Sequence, residues 1–158
     1  MTSATYTMPL QTAVGRLTLE SDGDVLIGIW LPNKTSNGSG TGHDAPPVLK
    51  ETATQLEEYL AGERTEFDVP MELDGTEFQR SVWRELSRIP YGETISYGEL
   101  ARRVGRPNGP RAVGQANGRN PVPIIVPCHR VLATTGIGGY GGGLPLKRAL
   151  LAVEGVTA

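Results

Sequence analysis

The chain has 158 residues, 38% of them hydrophobic, and a single cysteine; that is room for one large domain or two small ones, with enough apolar content for a core. It shows neither an apolar span of about twenty residues nor a basic-then-apolar leader, and a lone thiol excludes a disulfide framework, so a protein of the reducing cytoplasm is expected rather than a membrane or secreted one. The net charge of −2 conceals a split: residues 1–90 carry 7 Lys/Arg against 14 Asp/Glu, whereas residues 91–158 carry 8 against 3, which suits a second half that faces a polyanion.

Taken in order, residues 5–31 alternate as strands do. The runs Gly15 to Glu20 and Val25 to Trp30 flank Ser21-Asp22-Gly23-Asp24, and the Asp-Gly pair predicts a β-hairpin. Pro32 to Pro47 is a Gly-, Ser-, Asn- and Pro-rich loop; His43 within it has no nearby His or Cys, so a solvated histidine is expected and no metal site. Leu49, Ala53, Leu56 and Leu60 fall at helical spacing and predict a helix over 48–62 that Gly62 stops. Residues 1–70 are therefore expected to form a scaffold domain of sheet plus helix, with Glu63 to Asp74 as the crossing to a second domain over 75–158.

In that second domain Thr76 and Gln79 have the spacing of a capping box, and Phe78, Val82, Trp83, Leu86 and Ile89 make a helical apolar stripe of core type. Ser96 and Glu99 predict another capping box, opening a helix over Tyr97 to Val104 that Gly105 ends. Pro110, favoured at a first helical position, opens a second helix to about Asn117. Two short helices joined by a tight Gly-containing turn read as a helix-turn-helix. The second has mostly small side chains, so its backbone can approach a narrow groove. Leu144-Pro145 opens a last helix, and Gly155 caps it just beyond Glu154. The fold class expected is α+β, a small sheet-plus-helix domain followed by a mostly helical domain with the helix-turn-helix and an active-site loop.

Cys128 lies in Ile124-Ile125-Val126-Pro127-Cys128-His129-Arg130-Val131. Ile124 to Val126 predicts a buried strand ended by Pro127, with the thiol at the bend. From these residues alone Cys128 is either inert packing or a nucleophile. His129 supplies a base, but neighbours on an extended segment face opposite sides, so a water would have to bridge them.

Pro127-Cys128-His129-Arg130, preceded by Asn120-Pro121-Val122-Pro123 and followed by Gly138-Gly139-Tyr140-Gly141-Gly142-Gly143, resembles the active-site signature of the O6-alkylguanine-DNA alkyltransferases, also called methylated-DNA–protein-cysteine methyltransferases. The match runs from about Phe78 to Glu154, and the first seventy residues resemble the family's variable amino-terminal domain only loosely. The resemblance implies direct repair of O6-alkylguanine in duplex DNA. The base is flipped out and its alkyl group moves irreversibly to Cys128, with no cofactor and no metal. It implies His129 as base through water, Glu154 as the acid that orients it, and Asn120 as the tie between the active-site segments. Tyr97 would act beside the flipped nucleotide, rotating the phosphate or donating a proton. Arg111 would insert into the base stack from the minor groove, with Ala112, Gln115, Ala116 and Asn117 on the same helix at the DNA. Arg102, Arg103, Arg106 and Arg119 would contact phosphates. Tyr140 would pack on the guanine, the Gly141 N–H would face O6, and the carbonyls of Cys128 and Val131 would accept from the exocyclic amine. The segment from Cys128 to Tyr140 is one residue shorter than the family pattern. The protein is expected to be a monomer in solution, with cooperative loading on DNA left open.

Three other readings compete. Alkyltransferase-like binding modules replace the cysteine, which is present here. A thiol-sensing DNA regulator would need a helix with more base-reading side chains. A cysteine peptidase would place its Cys and His far apart in sequence.

Overall fold

The computed structural model describes residues 5–33, 45–106 and 109–157. The loop expectations for residues 34–44, including His43, and for residues 107 and 108 of the inter-helix turn lie outside the described residues. The chain divides into two compact units, residues 1–73 and 74–158.

In the first unit β1 (Tyr6–Thr12), β2 (Gly15–Ser21) and β3 (Leu26–Trp30) form an antiparallel sheet in that order. The hairpin expected around Asp22-Gly23 joins β2 to β3, with Leu19 opposite Ile29 and an irregularity between Glu20 and Ser21. Its turn is built by side-chain chemistry. The Asp22 carboxylate accepts from Asp24 N at 2.9 Å and Val25 N at 3.0 Å, which holds its pKa below the ordinary value. Gly23 takes φ +114°, a left-handed conformation suited to glycine. Helix α1 (Pro47–Leu60) buries Leu49, Ala53 and Leu56 together with Leu17 and Leu19 in this unit's core. Residues 70–72 add a short parallel bridge, Leu26 N donating to Pro70 O at 2.8 Å and Glu72 N to Leu26 O at 3.0 Å.

The second unit begins with α2 (Glu77–Leu86), opened by the expected capping box: Gln79 N donates to Thr76 Oγ1 at 3.1 Å and Thr76 N to Gln79 Oε1 at 2.9 Å. Val82, Trp83, Leu86 and Ile89 are buried as expected, whereas Phe78 is half-buried with the Arg106 guanidinium 4.9 Å from its ring centre. Then follow β4 (Ile95–Ser96), α3 (Tyr97–Arg103), α4 (Pro110–Gly118), a 3-10 turn (Cys128–Arg130), β5 (Val131–Leu132) and α5 (Leu144–Val153). Strands β4 and β5 pair in parallel, Ile95 with Val131 and Ser96 with Leu132, a ladder too short for periodicity to reveal. Ser96 caps α3 through Glu99 N at 3.0 Å, but the reciprocal half of the expected box is replaced. The Glu99 carboxylate instead takes Arg102 at 2.7 Å and Arg103 at 3.0 Å, which lowers its pKa. Among the described residues no helix is long and apolar enough to cross a membrane, and no cluster of His, Cys, Asp and Glu could hold a metal ion.

Candidate active site

The expected strand over Ile124 to Val126 does not form. Ile124 sits at φ +77°, and Val126 N turns back to Val122 O at 3.0 Å. Pro121, Pro123 and Pro127 lack the N–H groups a ladder needs, and the Asn120 carboxamide takes the place of a partner strand. Its Oδ1 accepts from Val122 N at 3.0 Å and its Nδ2 donates to Val126 O at 2.7 Å. Pro127, with φ −80° and ψ 66°, then makes an inverse γ-turn closed by Cys128 N donating to Val126 O at 2.8 Å. The thiol thus starts a 3-10 turn instead of ending a strand, so the opposite-face argument for Cys128 and His129 does not apply.

Cys128 is 5% exposed, with the Tyr140 hydroxyl 4.0 Å from its sulfur. Burial pushes the thiol pKa up, against hydrogen bonds from Asn120 and Tyr140 and the charge of Lys147. The surroundings of the free protein therefore favour the thiol over the thiolate, and ionisation requires a base.

His129 is fully buried, and its Nε2 lies 2.8 Å from Glu154 Oε2. Burial holds the imidazole below its ordinary pKa; the Glu154 bond and charge oppose this, while the charges of Arg130 and Lys147 reinforce it. The ring is thus neutral near pH 7, with Nε2–H directed at the carboxylate and Nδ1 the basic nitrogen. Glu154 caps the C-terminal end of α5, where the helix dipole disfavours a carboxylate, and donors from three residues on two segments hold it there. Besides His129 it accepts from Arg130 Nε at 2.9 Å, Arg130 Nη2 at 2.9 Å and Gly92 N at 2.9 Å. Arg130 also donates to Ile89 O at 2.6 Å, with its guanidinium 5.8 Å from the Tyr91 ring centre.

Helices α3 and α4 pack together and on α2. On α4, Arg111 and Gln115 are exposed and Ala112 is half-buried; Arg119 just beyond it is exposed, as are Arg102, Arg103 and Arg106. Ala116 and Asn117, expected at the DNA, point inward at 3% and 5% exposure, because a nine-residue amphipathic helix must turn one face to the core. Ala116 O accepts from Trp83 Nε1 at 2.9 Å, and Asn117 Nδ2 donates to Cys128 O at 3.4 Å. Tyr97, the first residue of α3, is half-buried; a Cβ on Gly114 would lie 3.8 Å from its ring and one on Gly138 3.3 Å. Gly138 has φ +78°, so the glycine segment passes the tyrosine where a side chain would crowd.

Lys147 of α5 is buried and organises that segment, donating to Val131 O at 2.7 Å, Ile137 O at 2.7 Å and Gly139 O at 3.1 Å. Burial lowers its pKa to about 8. Tyr140 is half-buried and Gly141 exposed.

Two family models cover almost the whole chain: the 6-O-methylguanine DNA methyltransferase ribonuclease-like domain over residues 3–73 and the DNA binding domain of the same methyltransferases over residues 77–156. A methylated-DNA–protein-cysteine methyltransferase of Mycolicibacterium paratuberculosis is 49% identical over 92% of this chain and 89% of its own length. This chain belongs to the 6-O-methylguanine DNA methyltransferase family. A constitutive methyltransferase of Bacillus subtilis is 40% identical over 96% of both chains. The crystal structure of Mycobacterium tuberculosis OGT in complex with DNA superposes with a TM-score of 0.86 at 48% identity, covering 96% of this chain and 92% of that one.

Within this 6-O-methylguanine DNA methyltransferase fold, sequence reasoning assigned no role to Arg130 or Lys147. Arg130 adjoins Cys128-His129 in the signature, and an arginine so placed was the available signal. Lys147 carried none, since a lysine on an amphipathic helix is ordinarily solvated.

Proposed function

We propose that this chain repairs O6-alkylguanine in duplex DNA by one irreversible transfer of the alkyl group to Cys128. The observation that carries the reading is the buried Cys128, His129, Glu154 and Arg130 array in a chain so similar to named methyltransferases. DNA is the partner, and the exposed arginines on and around α3 and α4 supply phosphate contacts. Arg111 enters from the minor groove and fills the stack where the lesion leaves, since the O6 substituent is out of a thiolate's reach inside the duplex.

The chemistry follows from the donors and acceptors. Through a bridging water, His129 Nδ1 accepts the thiol proton, and Glu154 stabilises the imidazolium through Nε2. The thiolate attacks the alkyl carbon; an S–C bond forms, the C–O6 bond breaks, and the electron pair leaves on guanine O6. Tyr97 protonates the departing base or turns its phosphate. Tyr140 stacks on the purine, the Gly141 N–H meets O6, and the Cys128 and Val131 carbonyls accept from the exocyclic amine. With Cys128 almost fully covered, Tyr140 and the glycine segment move to admit the base. The thioether has no route back, so each molecule acts once as a cytoplasmic monomer, with residues 1–70 as scaffold.

Incubation with O6-benzylguanine or a methylated duplex, followed by intact mass measurement, tests this. One alkyl adduct per molecule is expected, absent in Cys128→Ala. Repeated turnover, or equal labelling of Cys128→Ala, refutes it.

A further inference from the structure

Two carboxamides three residues apart grip the backbone that enters the active site. Asn120 holds Val126 O at 2.7 Å, and Asn117, one turn earlier at the inner end of α4, donates to Cys128 O at 3.4 Å. Burial pushes the Tyr97 hydroxyl pKa up, and the Asn117 carboxamide beside it opposes that push. Trp83 anchors the helix at this point by donating to Ala116 O at 2.9 Å. Asn117 is 5% exposed and its Oδ1 has no hydrogen-bond partner among the described residues. Burying an amide oxygen unpaired costs stability, which offsets what the one long donation at 3.4 Å to Cys128 O returns to folding. The side chain instead donates to one group that the proposed reaction places around the guanine, the Cys128 carbonyl, and neighbours a second, the Tyr97 hydroxyl.

A carbonyl oxygen has two lone pairs. A donor on one of them sets the direction in which the other is presented. We propose that Asn117 is a positioning residue for base recognition: by occupying one side of the Cys128 carbonyl it aims the other at the 2-amino group of the flipped guanine. This rests on the alkyl-transfer reading, and it gives the inner face of α4 a task in selecting the base while the outer face meets DNA.

The test uses the full-length protein and two free bases, O6-benzylguanine and the same compound without its 2-amino group, with S-alkylation rates followed by intact mass. Wild type is expected to prefer the aminated base. In Asn117→Leu that preference falls by about threefold to tenfold, the worth of one hydrogen bond, while affinity for an undamaged duplex stays at the wild-type value. Asn117→Gln, which restores a donor, recovers part of it. If Asn117→Leu does not fold, Asn117→Ser, too short to reach the carbonyl, carries the same expectation. An unchanged preference in a folded variant overturns the inference, as does loss of duplex affinity with the preference intact. A wild type that is alkylated equally by both bases sinks this inference alone; a wild type that gains no mass sinks the function with it.

Discussion

Replacing Arg130 by methionine removes the cation from a buried carboxylate and keeps much of the side chain's apolar bulk. In the wild type Arg130 meets Glu154 through Nε and Nη2, both at 2.9 Å, and Ile89 O through Nη1 at 2.6 Å, with the Arg130 and Glu154 side chains 8% and 0% exposed. The variant leaves Glu154 with His129 and Gly92 N as its remaining described donors and strips the Ile89 carbonyl of this one. Removing one partner of such a pair costs about 3–5 kcal/mol, a large share of the roughly 5–15 kcal/mol that holds a domain together. Urea unfolding at pH 7 should show the midpoint displaced by that amount with the slope unchanged. The titration of His129 supplies a second readout. Arg130 helps to hold the imidazole pKa down, so its loss raises that pKa, and the acid limb of the alkyl-transfer rate moves to higher pH. A folded variant within about 0.5 kcal/mol of wild type, the scatter of ordinary surface substitutions, together with an unshifted limb, would refute this account of Arg130.

His129 is pushed below its ordinary value by burial, so between its folded pKa and about 6.5 the unfolded chain binds the extra proton. Its contribution to stability is therefore complete above that window and lost as pH falls through it, which denaturant midpoints from pH 7 downward will show unless the His129→Gln variant has the same slope. Arg111→Ala should slow transfer from a methylated duplex at least tenfold, the size of a lost insertion contact of about 1.4 kcal/mol, while labelling by free O6-benzylguanine is retained; equal losses on both would count against insertion. Lys147→Met withdraws the donor from three backbone carbonyls at once, and hydrogen bonds to a charged group are worth about 1.5–3 kcal/mol each. Hydrogen exchange over Val131 to Tyr140 should accelerate ahead of α2; uniform change across the unit would contradict a local role. Gly138→Ala places a Cβ 3.1 Å from Ala133 N on a backbone at φ +78°, a strain of about 1–3 kcal/mol. A melting temperature equal to wild type would show that the segment relaxes instead.

What could be read before the structure, and what could not, divides along physical lines. The Thr76 cap, the Asp22-Gly23 turn and the stops at Gly62 and Gly155 rest on local chemistry, and each is found where its residues stand. Helix α4 has the expected limits, yet its two faces were not separated. With alanine and glycine alternating there, periodicity does not tell Gln115 outside from Asn117 inside. Glu99 could have completed a capping box or paired with arginines one turn on, and the charged partners prevailed. Ile124 to Val126 reads as a strand by composition because β-branched residues are counted there, but three prolines and one carboxamide decide the backbone. The site was legible as a signature; its wiring through Arg130, Lys147 and Asn117 depends on contacts between residues 8 to 41 positions apart and on helix rotation.

The two-residue ladder between β4 and β5 has a mechanical meaning. Ser96 is at once a rung of that ladder and the cap of α3, while Val131 directly follows the turn that bears Cys128 and His129. Grip on the nucleic acid and sulfur chemistry are thus tied to one short splice of main chain. Evolution or an engineer adjusting the one at this splice will disturb the other, and independent tuning has to be sought in side chains further out.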